Sequence, residues 1–133
     1  MLKKTSLLIG FFIGIYLLVW AQEDTLEASM KRGEEVYTAQ CASCHMPVGE
    51  GLEAVYPPLA NTDYLKNQKR AITIILKGQT EEITVNGKQY STAMDAMANL
   101  SDKEIADVLN FVSNSWGNKN AMIKPAQVLA QRK

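Results

Sequence analysis

The sequence predicts a small all-α domain with three to five helices and one short β-hairpin. Apolar residues recur at three- and four-residue spacing in separate stretches, as they do in amphipathic helices. The clearest stretch follows Ser101-Asp102-Lys103-Glu104, which has the serine and glutamate spacing of a helix capping box. Asn86-Gly87 lies between two short β-prone runs in Ile83–Tyr90 and favours a type I′ turn. Because both runs are short, we expect only a small satellite ribbon there.

The N-terminal segment has the composition of an export signal. Two lysines precede an apolar run from Leu7 to Ala21, which ends in the small-residue pattern of a cleavage site. The run is also close to the length of a membrane-spanning helix. We expect residues 1–21 to be either a signal peptide cut before Gln22 or a retained membrane anchor, with membrane contact through residues 5–21. Either outcome exports a single domain, residues 22–133.

The first helix of that domain is expected from Thr25 to about Gln40. Gly33 and Tyr37 lie four positions apart and therefore share one face of it. A glycine within a helix costs up to about 1 kcal/mol relative to alanine, and close approach of another helix would offset that cost. The following stretch, from Met46 to Pro58, is rich in proline and glycine and is expected to be an irregular loop.

Further helices are expected downstream, each with its own start or stop signal. A glycine ends the second helix, the capping box opens the third helix, and a proline begins the last helix. The predicted ranges are Gln68–Lys77 before Gly78, Asp102 to about Asn114, and a short helix from Pro125 that docks through Val128 and Leu129.

The charge balance argues against nucleic acid as a partner. Fourteen basic and fourteen acidic residues give a formal net charge of zero, whereas nucleic-acid-binding domains usually carry a basic excess. The basic residues in and before the second helix are interpreted as a solvated face, with a docking surface for an acidic partner as the alternative. They are Lys66, Lys69, Arg70 and Lys77.

Cys41-Ala42-Ser43-Cys44-His45 has the spacing of a c-type haem attachment motif. Each thiol adds to one vinyl group of the porphyrin, so two cysteines three positions apart can reach neighbouring edges of one ring. The imidazole that follows can then bind the iron. The chain has two cysteines and one histidine, all in this motif. We therefore predict one covalently bound haem per chain, held by Cys41, Cys44 and His45, which would also add apolar mass to a small core.

Three other interpretations of these residues are weaker. A structural zinc site needs about four nitrogen or sulfur ligands, more than the chain supplies. A thioredoxin-type dithiol starts a helix in a βαβ pattern, whereas this pair follows a helix. A disulfide would close a very short loop and leave His45 without a role.

The second axial ligand of the iron must come from another residue type, because no second histidine exists. Methionine is the common alternative in electron-transferring haem proteins. Met30 and Met46 are tied to the same haem face as the motif, and Met122 lies in a polar tail. Met94 and Met97 lie far enough along the chain to cross the ring, and their positions do not decide between them. Gap-filling in the core is the alternative role for either.

Several stretches together form a recognisable pattern over nearly all of the mature chain. They are Gly33-x-x-x-Tyr37, Cys41–His45, Tyr56–Leu59, Asn86–Met94, Leu100–Ile105 and Asn114–Gly117. On these residues the chain resembles the class I mono-haem cytochromes c, particularly small bacterial members and cytochrome domains. The resemblance implies the cytochrome c fold, with the helices arranged around the haem.

The resemblance also implies which methionine binds the iron. In the family, this ligand lies six residues before the Leu-Ser of the last main helix, which assigns Met94 and leaves Met97 in reserve. The family usually has a proline directly after the ligand. Asp95 stands there instead, which makes the loop freer and puts a carboxylate near the iron.

Two further contacts are implied by the resemblance. Gly33 and Tyr37 are expected to pack across Val108 and Phe111, so that the first and last main helices cross. A proline carbonyl after the motif is expected to accept the ring N–H of His45 and fix its orientation, with Pro58 preferred over Pro57.

The function implied is one-electron transfer rather than enzymatic catalysis. Haem attachment in such proteins implies a periplasmic location, soluble after cleavage or anchored to the inner membrane. The expected partners are redox proteins: a reductase, an oxidase or a dehydrogenase. The main alternative is a haem enzyme or a gas or redox sensor with an open iron site, which requires that neither Met94 nor Met97 bind. A haem-free thiol protein is a third hypothesis.

Overall fold

The structure, a computed structural model, describes residues 24–133. Within them, 5 helices and an antiparallel hairpin confirm the predicted fold class. The predicted export segment, residues 1–21, lies outside this part of the chain. Among residues 24–133 no helix is long and apolar enough to cross a membrane. The elements are α1 (Leu26–Gln40), α2 (Ala42–His45), a 3-10 turn (Tyr64–Lys66), α3 (Gln68–Lys77), β1 (Ile83–Val85), β2 (Lys88–Tyr90), α4 (Asp102–Val112) and α5 (Pro125–Leu129).

The helices α1 and α4 cross at Gly33. A Cβ atom on Gly33 would lie 2.0 Å from the backbone oxygen of Asp107 and 2.9 Å from the Cβ of Phe111. The close approach predicted from this glycine is therefore confirmed. One turn further along α1, the ring of Tyr37 lies 5.6 Å from that of Phe111, centroid to centroid. Trp116 completes the cluster, 5.0 Å from Tyr37 and 5.1 Å from Phe111. The crossing thus fixes the end of α1, where the cysteine motif begins.

A buried polar network joins the same two helices. Asp107 is 4% exposed. Its carboxylate accepts hydrogen bonds from Ser29 Oγ at 2.6 Å and from the Nε and Nη2 atoms of Arg32 at 2.7 and 2.8 Å. The side-chain amide of Asn110 donates to Ser29 Oγ and to the backbone oxygen of Ile123. Because the buried carboxylate is both paired and hydrogen-bonded, its burial leaves no bare charge.

The helix α4 opens at the predicted capping box. Ser101 Oγ accepts from the Glu104 amide at 3.2 Å, and Glu104 Oε2 accepts from the Ser101 amide at 2.8 Å. The helix ends at Val112, slightly before the predicted end. The side-chain amide of Asn118 donates to the Val112 carbonyl at 2.8 Å and so satisfies one of the carbonyls that a helix end leaves open.

The last helix, α5, begins at Pro125 as predicted, but one of its two docking residues was wrongly assigned. Val128 is 0% exposed, whereas Leu129 is 54% exposed. Successive residues of a helix are rotated by about 100°, so this short helix turns Val128 to the body and Leu129 to solvent.

The hairpin has the predicted turn and the predicted small size. Asn86 and Gly87 have φ values of 49° and 77°, the left-handed pair that a type I′ turn requires. Strand pairing sets Ile83 opposite Tyr90. Val85 and Tyr90 are 1% and 5% exposed, so one face of the hairpin belongs to the core. The small ribbon predicted from the sequence is therefore confirmed, while the burial of one of its faces was not predicted.

Candidate haem-binding site

The cysteine motif forms a single turn directly after α1. The amide of Cys41 donates to the Tyr37 carbonyl at 2.9 Å, and the amide of His45 donates to the Cys41 carbonyl at 2.9 Å. Both cysteine side chains are half-buried, and no disulfide joins them. Burial raises the pKa of the Cys41 thiol to about 11. A reactive dithiol needs a lowered pKa, so this environment does not suit thiol–disulfide exchange.

The ring of His45 is held by the loop that follows the motif. Its Nδ1 lies 3.0 Å from the carbonyl oxygen of Pro57, which assigns the hydrogen to Nδ1 and leaves Nε2 free to bind a metal. The preference for Pro58 was therefore wrong, and the contact falls on its neighbour. The reason is the path of the loop. The Gly51 amide bonds to the His45 carbonyl, and the Leu52 amide bonds to the Tyr56 carbonyl, so the chain folds back with Pro57 beside the ring.

The protonation state of His45 also suits metal binding. Burial lowers the pKa of the imidazole, and the hydrogen bond to Pro57 offsets this only partly. The neutral ring is therefore favoured near pH 7, and a neutral imidazole is the form that ligates metals.

The motif opens onto a cavity of about 470 Å³ between the loop, α3, the hairpin and α4. Its lining is mainly apolar, which suits a macrocycle that is itself largely apolar. Two thiols and a neutral imidazole on the same lining provide the donor set that a covalent haem needs, so the residues present fit the group. The lining includes Cys41, Cys44, His45, Pro57, Pro58, Leu59, Ile75, Val85, Tyr90, Met94, Met97 and Val108.

The two methionines lie in the segment between β2 and α4, residues 91–101, called here the methionine loop. Both line the cavity and both are half-buried. Met97 packs against the cluster of buried core residues, and its amide donates to the Ile75 carbonyl at 2.7 Å. Met94 is not among the residues packed on that cluster. Core packing therefore accounts for Met97 but not for Met94.

The position of Met94 depends on Gly78 and Gln79, whose roles were not predicted from the sequence. Met94 and Gln79 exchange two backbone hydrogen bonds of 2.8 and 2.9 Å. A Cβ on Gly78 would lie 2.7 Å from the Met94 carbonyl oxygen. The sequence signal was the glycine after Lys77, which we interpreted only as a helix stop. It also makes room for the methionine loop.

The competing zinc interpretation fails on geometry as well as on residue count. Within residues 24–133, no group of three or more His, Cys, Asp or Glu side chains is placed to hold a metal ion.

Asp95, which stands directly after Met94 in the methionine loop, is exposed and lines the cavity.

The chain is similar to several known proteins. The family described as Cytochrome c matches residues 30–116. Cytochrome c-552 of Thermus thermophilus is 33% identical over 124 residues, covering 76% of this chain and 94% of the relative. Cytochrome c6 of Gracilaria tenuistipitata var. liui is 30% identical over 114 residues, covering 84% of this chain and 96% of the relative.

A cytochrome subunit of a larger enzyme is also similar. The cytochrome c subunit of the quinone-dependent alcohol dehydrogenase of Gluconobacter oxydans is 36% identical over 88 residues, covering 65% of this chain but only 18% of the relative. Together with the family match, these similarities lead to one conclusion: the chain belongs to the cytochrome c family, whose members bind covalently attached haem c and carry electrons to redox-protein partners.

Proposed function

We propose that this protein carries single electrons on a haem attached through Cys41 and Cys44, with His45 and Met94 as the iron ligands. The observation that carries the proposal is that one apolar cavity is lined by both thiols, by an imidazole with its Nε2 free, and by a methionine that core packing does not explain. Haem iron supplies the one-electron couple, and methionine ligation raises its potential.

Each residue then has a defined task. The two cysteines tether the group, so that it stays bound without complete enclosure. Pro57 orients the ring of His45 and increases its basicity through the Nδ1 hydrogen bond, as outer partners of metal ligands do. Gln79, two residues after the end of α3, fixes the backbone of Met94. A ligand set held this firmly on both sides needs little rearrangement when the oxidation state changes.

The partners we propose are redox proteins that dock briefly. The cytochrome c subunit of an alcohol dehydrogenase is among the relatives, which favours a dehydrogenase as one electron donor. Redox encounters usually bury less than about 1,200 Å², so we expect these contacts to be small and short-lived.

We also propose that the domain works in the periplasm after export by residues 1–21. The support is the charged and then apolar composition of this segment and the need to attach haem to the two thiols. The mass of the protein purified with its haem tests this proposal. Cleavage would leave Gln22 as the first residue, and an anchor would leave the full chain in the membrane fraction. Full-length chain in the cytoplasmic fraction would contradict it.

The visible spectrum tests the proposed function directly. Protein produced with a haem-attachment system should retain haem after denaturation, because the thioether bonds are covalent. The ferric form should show a sulfur–iron charge-transfer band, and carbon monoxide should not shift the spectrum of the ferrous form. A carbon monoxide shift without the band would favour the open-site alternative, and absence of haem would favour the thiol protein.

Gly78→Ala should weaken methionine ligation, because the added Cβ meets the Met94 carbonyl oxygen. With φ 77° and ψ −179°, Gly78 also has a backbone conformation that other residues rarely adopt. We expect the free energy of unfolding to fall by about 1–3 kcal/mol. The charge-transfer band should be weaker even at temperatures where the variant is still folded.

Gly87→Ala is the control for Gly78→Ala. It also places a side chain at φ 77°, but no atom lies within 4 Å of the added Cβ. It should cost about 1 kcal/mol and leave the band unchanged. Equal bands in the two variants would contradict the role given to Gly78.

A further inference from the structure

We propose that Arg132, near the C-terminus, is a positioning residue for Met94 that acts by clamping the far end of the methionine loop. This inference rests on the proposed role of Met94 as an iron ligand. Arg132 does not line the cavity, so it would affect the iron site through the backbone of the methionine loop.

The guanidinium group of Arg132 binds three acceptors at the end of the loop. Its Nη1 donates to the Ala98 carbonyl at 2.9 Å, its Nη2 donates to the Leu100 carbonyl, and its Nε donates to Asp102 Oδ1 at 2.5 Å. The side chains of Arg132 and Asp102 are 28% and 25% exposed. The planar guanidinium group of an arginine can donate to three acceptors at once. The ammonium group of a lysine cannot reproduce this geometry.

The methionine loop has little local stiffness of its own. Residues 91–101 contain no proline, so no φ angle within the loop is locked. Most of its side chains are exposed. Its backbone is held from outside by Gln79 at Met94, by Ile75 at Met97 and by Arg132 at its end. Without Arg132, the carbonyls of Ala98 and Leu100 lose their hydrogen bonds to the C-terminal segment, and the burial of Leu100 is what still holds this end of the loop.

The base of the clamp is fixed independently of the loop. Val128 of α5 is 0% exposed, and the Gln131 amide donates to its carbonyl at 2.9 Å. The side chain of Gln131 accepts a hydrogen bond from Thr73 Oγ1 of α3 at 2.8 Å. Arg132 therefore extends from a docked helix rather than from a free tail, and it can restrain the loop.

The clamp is tested by competition for the iron in the haem-loaded ferric protein. Imidazole should displace Met94 and bleach the charge-transfer band. In Arg132→Ala we expect imidazole to bind about tenfold more tightly, which corresponds to about 1.4 kcal/mol of lost restraint. The amide of Met97, bonded to Ile75, should exchange its hydrogen faster in the same variant. Arg132→Lys should give an intermediate imidazole affinity and provides the test if the alanine variant folds poorly.

Lys133→Ala is the matched control, because it removes the same charge one residue further on. Its imidazole affinity and Met97 exchange should equal those of the parent protein. The clamp is refuted if Arg132→Ala, or Arg132→Lys in its place, also matches the parent in both measurements, even with a lowered Tm, since Arg132 would then only secure the tail. Failure of the underlying proposal is separate: it would appear as a charge-transfer band that survives Met94→Ala.

Discussion

Met94→Ala should abolish the sulfur–iron charge-transfer band completely and open the iron to carbon monoxide and imidazole. Met94 lines the cavity, exchanges backbone hydrogen bonds with Gln79 and is not part of the packed core cluster, which is why we propose its sulfur as the iron ligand. The substitution would also remove the methionine sulfur from the iron. Because methionine ligation raises the reduction potential of a haem, the midpoint potential of the protein should fall. Absorption spectra with and without carbon monoxide, followed by a redox titration, measure these effects.

Met97→Ala is the control for this experiment. Met97 contributes to the core cluster and is half-buried, so its truncation should cost about 2 kcal/mol, the lower end for a core methionine. The charge-transfer band should persist and carbon monoxide should not bind. The opposite pair of results, with the band lost in Met97→Ala and kept in Met94→Ala, would reverse the ligand assignment.

Gly33→Val should cause the largest loss of stability of any change considered. The first added atom would lie 2.0 Å from the Asp107 backbone oxygen, whereas carbon–oxygen contacts of this kind normally lie at about 3.3–3.6 Å. The helices α1 and α4 must therefore move apart by roughly 1 Å, which loosens the Tyr37–Phe111 contact and the polar network at Asp107. We expect a loss of about 3 kcal/mol or more, and a fall in Tm of roughly 12 °C or more.

Thermal unfolding followed by circular dichroism measures the effect of Gly33→Val, and Glu35→Ala serves as its control. Glu35 lies two residues away on an exposed face of α1, where substitutions usually change stability by less than about 0.5 kcal/mol. A Gly33→Val protein as stable as the parent would mean that α1 and α4 do not cross at this residue.

The sequence predicted best what local chemistry decides. The range Gln68–Lys77 matches α3, the Ser101 and Glu104 side chains form the expected capping box, and the glycine at position 33 correctly indicated a helix crossing. In each case the signal lies within a few residues of the feature it specifies. The family resemblance added Phe111 as a contact of that crossing.

Prediction failed where distant parts of the chain decide the outcome. The choice between the adjacent carbonyls of Pro57 and Pro58 depends on how the loop folds back onto His45. The burial of the hairpin depends on the cavity that it lines, and nothing in its short strands indicates a cavity. The three contacts of Arg132 follow from the docking of α5, and an arginine near a chain end carries no such signal.

The crossing of α1 and α4 has a consequence for assembly. Arg32 and Asp107 meet although they are 75 positions apart, so the contact that organises the fold is non-local. Such contacts form slowly because a long segment must first close into a loop. In a chain made from its N-terminus, Cys41 and Cys44 emerge well before α4. Their thiols are half-buried in the finished fold. We therefore expect the two thiols to be most accessible for haem attachment in the interval before α4 docks.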